Sequence, residues 1–439
     1  MKFVLFGVFM WLYGVFAYSH SSVVFGQKNH LKGTVPLEWS HEDAMVLGKS
    51  FLETLWVAGQ ASTTARDGLG PLYNANTCLA CHINYGPGIA SDDPALVHRS
   101  TIFRVYYRDN SYKNNLDPTI GFLGDPVYGT QMNIHGASGA PFEGTPVVTD
   151  EITEFLYPDG HRVSLYKPIF TMTKLNYGPL SPHSVVGARR APSLLGLGAI
   201  ADIPEEQILA RVGGTGFQGV QGKAQMVWSQ EKGNMQLGRF GWKASASSII
   251  DQAASALIHD MGLTNPFFPE PMCSVHQKEC LEAAIGQELD VPMGRLRSMA
   301  FYLHHLPPPR PSSENSHHQE GRRIFERVGC VSCHVPEFLG KDGQTIRPYS
   351  DFLTHDMGKE LSDGIREFSA HGNEWRTAPL WGIHKALSSP KVRFLHDGRA
   401  RTIEEAILWH GGEATVSRWK FVHLKVRERQ QLIDFVGAL

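Results

Sequence analysis

The pentapeptides Cys78-Leu79-Ala80-Cys81-His82 and Cys330-Val331-Ser332-Cys333-His334 constrain this chain more than any other feature. At the cysteine and histidine frequencies of the sequence, one Cys-x-x-Cys-His string is expected about 0.004 times by chance, so two are a signal. Two thiols three positions apart on one turn can add to the two vinyl groups of a haem, and the histidine that follows then falls beneath the iron. The chain is therefore expected to carry two covalently attached haem c groups, on Cys78 with Cys81 and on Cys330 with Cys333. His82 and His334 would be the proximal iron ligands. A dithiol redox pair, or a zinc site pooling both pairs, would leave the two histidines without a role.

The remaining composition bounds the setting. With 41 basic against 43 acidic residues the formal charge is −2, which gives no electrostatic footprint for nucleic acid. A length of 439 residues suits two or three domains, and 44 glycines with 26 prolines predict long connecting loops. Lys2 followed by an apolar run from Phe3 to Tyr18, with Val15-Phe16-Ala17 before the polar Ser19-His20, reads as a signal peptide over residues 1–17. The run is shorter than the roughly 20 residues that span a bilayer, and none of similar length follows. The expected product is exported to the periplasm of a Gram-negative bacterium, with no integral membrane domain after cleavage. In that oxidising setting Cys273 and Cys280 read as a structural disulfide, a redox-active or metal-binding pair being the alternative.

The run Leu306-Pro307-Pro308-Pro309-Arg310-Pro311-Ser312-Ser313 cannot be helical and marks the best boundary. The domains expected are 38–305, 306–316 as linker, and 317–439. Arg190-Ala191-Pro192-Ser193-Leu194-Leu195-Gly196-Leu197 resembles Arg376-Thr377-Ala378-Pro379-Leu380-Trp381-Gly382-Ile383, and each is followed by a helical stretch, at Ile249–Ala253 and Ile403–Ala406. The order of haem motif, Ala-Pro turn and helix occurs twice, which predicts an internal duplication. The fold class expected is mainly α: two cytochrome c-like haem domains related by duplication, with a β-hairpin or loop insertion over about 100–180. Within the insertion, Val147–Tyr157 and Arg162–Thr173 flank Pro158-Asp159-Gly160-His161, a hairpin signature.

These motifs, with Phe394-Leu395-His396-Asp397-Gly398-Arg399-Ala400 and Thr402-Ile403-Glu404-Glu405-Ala406, resemble the bacterial di-haem cytochrome c peroxidases. The chain looks most like their larger relatives, the di-haem oxidoreductases also described as thiol oxidoreductases. The resemblance implies that the N-terminal haem binds hydrogen peroxide while the C-terminal haem accepts electrons from a small periplasmic cytochrome c or copper protein.

Residue by residue, the resemblance implies Trp242 between the haems, with a plain core aromatic as the other reading. It places His410 where the peroxidases often have a methionine ligand; Met357 is the competing ligand. A second imidazole lowers the potential of that haem relative to a thioether. His183 corresponds to the histidine that can cap the peroxidatic iron, or is an exposed loop residue. Asp260 or His259 stands near the catalytic glutamate and would shuttle a proton across the peroxide. Arg190 replaces the asparagine that holds calcium in the family, so calcium is not expected. The function expected is a periplasmic peroxidase. A di-haem oxidase that modifies a partner protein, and a non-enzymatic electron-transfer cytochrome, are the alternatives.

Overall fold

Ser40 opens the first helix, His41–Glu53, by accepting the Asp43 N–H on its hydroxyl at 3.1 Å. This helix crosses Met293–His305 at Gly48, where a Cβ would come within 2.1 Å of the Ser298 carbonyl oxygen. The same contact recurs in the second half: His317–Val328 crosses Val426–Gly437 at Gly321, where a Cβ would lie 2.2 Å from the Gln431 carbonyl. Each crossing joins the first and last helices of its half, and only glycine lets the backbones approach so closely.

The two Ala-Pro turns also share a geometry. Arg190 ends the strand Ser184–Arg190, and Gly196 at φ 80° opens the helix Leu197–Ala201. Arg376 ends Glu374–Arg376, and Gly382, also at φ 80°, opens Ile383–Ala386. Downstream, Ser248 caps Ile249–Met261 and Thr402 caps Ile403–Trp409, each hydroxyl accepting an N–H three residues on.

The computed structural model describes residues 39–59, 61–63, 65–90, 100–108, 121–214, 219–283, 289–312 and 317–439. The leader expected over 1–17 lies outside them. Among the described residues no helix is long and apolar enough to cross a membrane.

The expectation of a mainly α fold is overturned. The chain is 30% helical and 21% strand, which makes it a mixed fold in which the strands fall into many small sheets. Long Gly- and Pro-rich connections between short helices leave many backbone N–H and C=O groups that such ladders help to satisfy. The insertion supplies the largest ones. Thr101–Tyr107 pairs with Gln131–Met132 on one side and Ser184–Arg190 on the other. A hairpin pairs Thr145–Leu156 with Arg162–Thr173, in register from Thr145↔Thr173 to Leu156↔Arg162.

That hairpin carries residues of the first half onto the second. Tyr157, 1% exposed, donates its hydroxyl to Glu404 at 2.8 Å and lies under the Arg429 guanidinium. Leu165 joins it in a core with Leu408, Trp409 and Phe435. In the other direction Val335, Phe338, Phe352 and Leu353 pack into the core built on Phe51, Leu257 and Met299. Val35–Leu439 accordingly form one compact unit.

Candidate haem sites

Cys78–Cys81 form one helical turn, and His82 follows as its C-cap. His82 Nδ1 lies 2.7 Å from the carbonyl of Pro192, in the first Ala-Pro turn. A carbonyl only accepts, so Nδ1 carries the hydrogen and Nε2 keeps its lone pair for a metal. His334 repeats the arrangement, with Nδ1 2.9 Å from the Tyr349 carbonyl. Burial brings both imidazoles down to about 4, which keeps them neutral, the form that ligates.

The four motif cysteines form no disulfide. Burial pushes the Cys78 and Cys330 thiols up to about 12, the opposite of what a dithiol redox centre requires. Nor do the two pairs pool into one zinc site. Among the described residues the single group with metal-binding proximity is Cys333, Asp351 and His355. Away from the haem motifs, Cys273 and Cys280 are joined by a disulfide.

The N-terminal site has polar groups beside Cys78. Asp260 lies in the last turn of the helix Ile249–Met261, and its main-chain carbonyl accepts the N–H groups of Asn74 and Ala75, just ahead of Cys78. Its carboxyl is close enough to raise the Cys78 thiol, accepts Gln131 Nε2 at 2.8 Å, and is itself raised above the usual carboxylate range by burial. His259 donates Nδ1–H to the Ser255 carbonyl at 2.8 Å, leaving Nε2 as acceptor, and burial lowers it to about 4. Arg104 sits near both, depressing His259 and Asp260 alike. Gln131 and Arg104, paired across strands of the insertion, belong to no motif.

His183 does not join this group. It is exposed, edge-on to Tyr107, at the start of the strand Ser184–Arg190. Six residue steps of that strand, about 20 Å, separate its neighbour Ser184 from Arg190 and the turn that anchors His82.

At the C-terminal site His410 follows Ile403–Trp409, donates Nδ1–H to the Ala406 carbonyl at 2.7 Å, and lies close enough to depress His334. Met357, the competing ligand, lines a cavity of about 480 Å³ with Trp409, Gly411 and the hairpin residues Phe155 and Leu165. Trp242 donates its indole N–H to the Arg190 carbonyl, and its own carbonyl accepts the Arg376 N–H. Its neighbour Lys243 is wholly buried, with its ammonium donating to the carbonyls of His371, Gly372 and Glu374 and standing 4.0 Å over the Trp375 ring.

A family model described as "Di-haem oxidoreductase, putative peroxidase" matches residues 137–439. The chain belongs to the di-haem oxidoreductase family. No curated protein matches it. Among solved structures, the hydrazine synthase of Kuenenia stuttgartiensis, pressurised with xenon, aligns over 94% of this chain and 97% of that one. The identity is 13% and the TM-score 0.35, too low to carry an argument.

The residues of this di-haem oxidoreductase fit the cofactor its family name implies. Besides the two anchored imidazoles, Arg190 is 7% exposed and donates Nε–H to the Gly88 carbonyl, while its Nη2 has no hydrogen-bond partner. A buried guanidinium nitrogen left unpaired is costly, and a haem propionate is an anion of the right kind to meet it.

Proposed function

We propose that the chain is an exported c-type di-haem oxidoreductase that reduces hydrogen peroxide with electrons from a small periplasmic redox protein. One observation carries the reading: the two haem motifs present equivalent proximal imidazoles, but their surroundings differ. Near Cys78 stand a buried carboxyl, an acceptor imidazole and an arginine; near His334 stands a second imidazole. The first setting suits acid–base work on a substrate, and the second, with two imidazoles that could both ligate, would suit a haem used for electron transfer.

Haem iron, when bound, supplies one-electron transfer and the point of attack on the O–O bond. His82 and His334 would hold it through Nε2, since their rings are fixed by the Pro192 and Tyr349 carbonyls. Cys78 with Cys81, and Cys330 with Cys333, would bind one porphyrin each as thioethers. Asp260, with its raised affinity for a proton, holds one beside the first site, and His259 Nε2 can accept one. The net reaction takes one hydrogen peroxide, two electrons from two donor molecules and two protons to two waters. Trp242, tied to Arg190 and Arg376 at the first residue of each Ala-Pro turn, lies on the route between the halves.

The test is peroxide turnover by purified holoprotein with a reduced small cytochrome, in both the oxidised and the half-reduced states. Turnover in either supports the reading. No turnover in both, with two low-spin signals in the EPR spectrum, overturns it in favour of an electron carrier.

A further inference from the structure

His355 lies on the strand Thr354–Asp356 and is 2% exposed. Its Nε2 is 2.8 Å from Asp351 Oδ2 and its Nδ1 is 2.7 Å from Glu413 Oε2. Carboxylates accept and do not donate, so both ring nitrogens carry hydrogens and the ring is an imidazolium clamped at both ends. The grouping of Cys333, Asp351 and His355 is therefore not a metal site, because the imidazole has no lone pair to offer.

Each end of the clamp leads to the segment of one candidate ligand, His334 or His410. Asp351 is two residues beyond Tyr349, whose carbonyl fixes the His334 ring. Glu413 is three residues beyond His410, in a turn with no room to relax. A Cβ at Gly412 would lie 2.1 Å from the Asp356 carbonyl oxygen, and one at Gly411 would lie 2.9 Å from that of Met357. The Glu413 carboxylate also accepts the N–H groups of Asp356, Gln221 and Gly222, at 3.2, 2.8 and 3.1 Å. The clamp passes beside the attachment cysteine, with Cys333 Sγ 3.7 Å from His355 Nδ1.

We propose that His355 is a positioning residue that holds the His334 and His410 segments at the separation needed for both imidazoles to reach one iron. The proposal rests on reading His410 as the distal ligand. Residues that orient metal ligands typically alter metal-site behaviour 10–100-fold when replaced, and the effect here falls on ligation rather than on peroxide binding.

The experiment uses the holoprotein and its His355→Gln, Glu413→Gln and His410→Ala variants. It reads the low-spin EPR signature and carbon monoxide binding to the reduced C-terminal haem. A glutamine at 355 cannot donate to two carboxylates in opposite directions, so the distal imidazole should detach more often and carbon monoxide should bind about tenfold faster. Glu413→Gln, which keeps the Asp351 contact, should act in the same direction and serves if His355→Gln does not fold. If His410→Ala opens the haem to carbon monoxide and both clamp variants behave as the parent, the proposal is overturned. An unchanged His410→Ala spectrum would instead remove the ligand assignment on which the proposal stands, and the proposal with it.

Discussion

The indole N–H of Trp242 meets the Arg190 carbonyl at 2.6 Å, while the Trp242 carbonyl receives the Arg376 N–H at 2.9 Å. One residue thus bridges the equivalent arginines of the two Ala-Pro turns.

Trp242→Phe keeps an aromatic ring but leaves the Arg190 carbonyl without its donor. The expected cost is about 1–3 kcal/mol of stability, measured by denaturant unfolding. If Trp242 lies on the electron route, transfer between the haems should slow in stopped-flow reduction while the KM for peroxide stays constant. Equal transfer rates in both proteins would reduce Trp242 to a core aromatic.

Asp260→Asn keeps the Gln131 contact region but cannot carry a proton. Peroxide turnover should fall by about 10²-fold or more, and the alkaline limb of the pH–rate profile, along which Asp260 loses the proton it holds, should disappear. Asp260→Glu should restore part of the rate. An unaltered pH profile in Asp260→Asn would pass the role to His259.

Glu143 gives a stability test separate from haem. It is 1% exposed and accepts from the Asn133 main chain and side chain and from Gln277, yet burial raises its carboxyl from 4.5 to about 8. Between those values the folded protein binds more protons than the unfolded one, so stability is full below pH 4.5 and drops as pH rises to about 8. The slope from this one group is about 1.4 kcal/mol per pH unit. Melting curves over that range should flatten in Glu143→Gln relative to the parent.

The glycine crossings should be intolerant of a methyl group. Gly48→Ala and Gly321→Ala each place a Cβ against a backbone oxygen on a neighbouring helix, which no rotamer change relieves. Each should cost about 1–3 kcal/mol, seen as a lower thermal midpoint. Alanine accepted at no cost would mean that the helices can separate.

What was legible in the sequence was local. The Cys-x-x-Cys-His turns, the two Ala-Pro turns and the Pro158–His161 hairpin are each written in a few adjacent residues. The strand content was not legible, because ladders such as Thr101–Tyr107 with Ser184–Arg190 join short segments about 80 residues apart, too short to show a period. Gln131 and Arg104 were missed for the same reason: they reach the site through that sheet. For His183 the sequence leaves an iron cap and an exposed loop residue open, and only the fold shows it exposed at the far end of Ser184–Arg190 from the turn that anchors His82. The His355 clamp needed the 351–355 and 413 segments folded together before its two carboxylates could be seen.

The Lys243 ammonium, seated in its ring of main-chain oxygens beside Trp242, gives the junction between the halves a counter-charge that is part of the chain. It cannot be stripped by a chelator or diluted away, so EDTA should leave the contact between Lys243 and the 371–374 segment intact. The positive charge at this contact is therefore in place as soon as residues 243 and 371–374 come together.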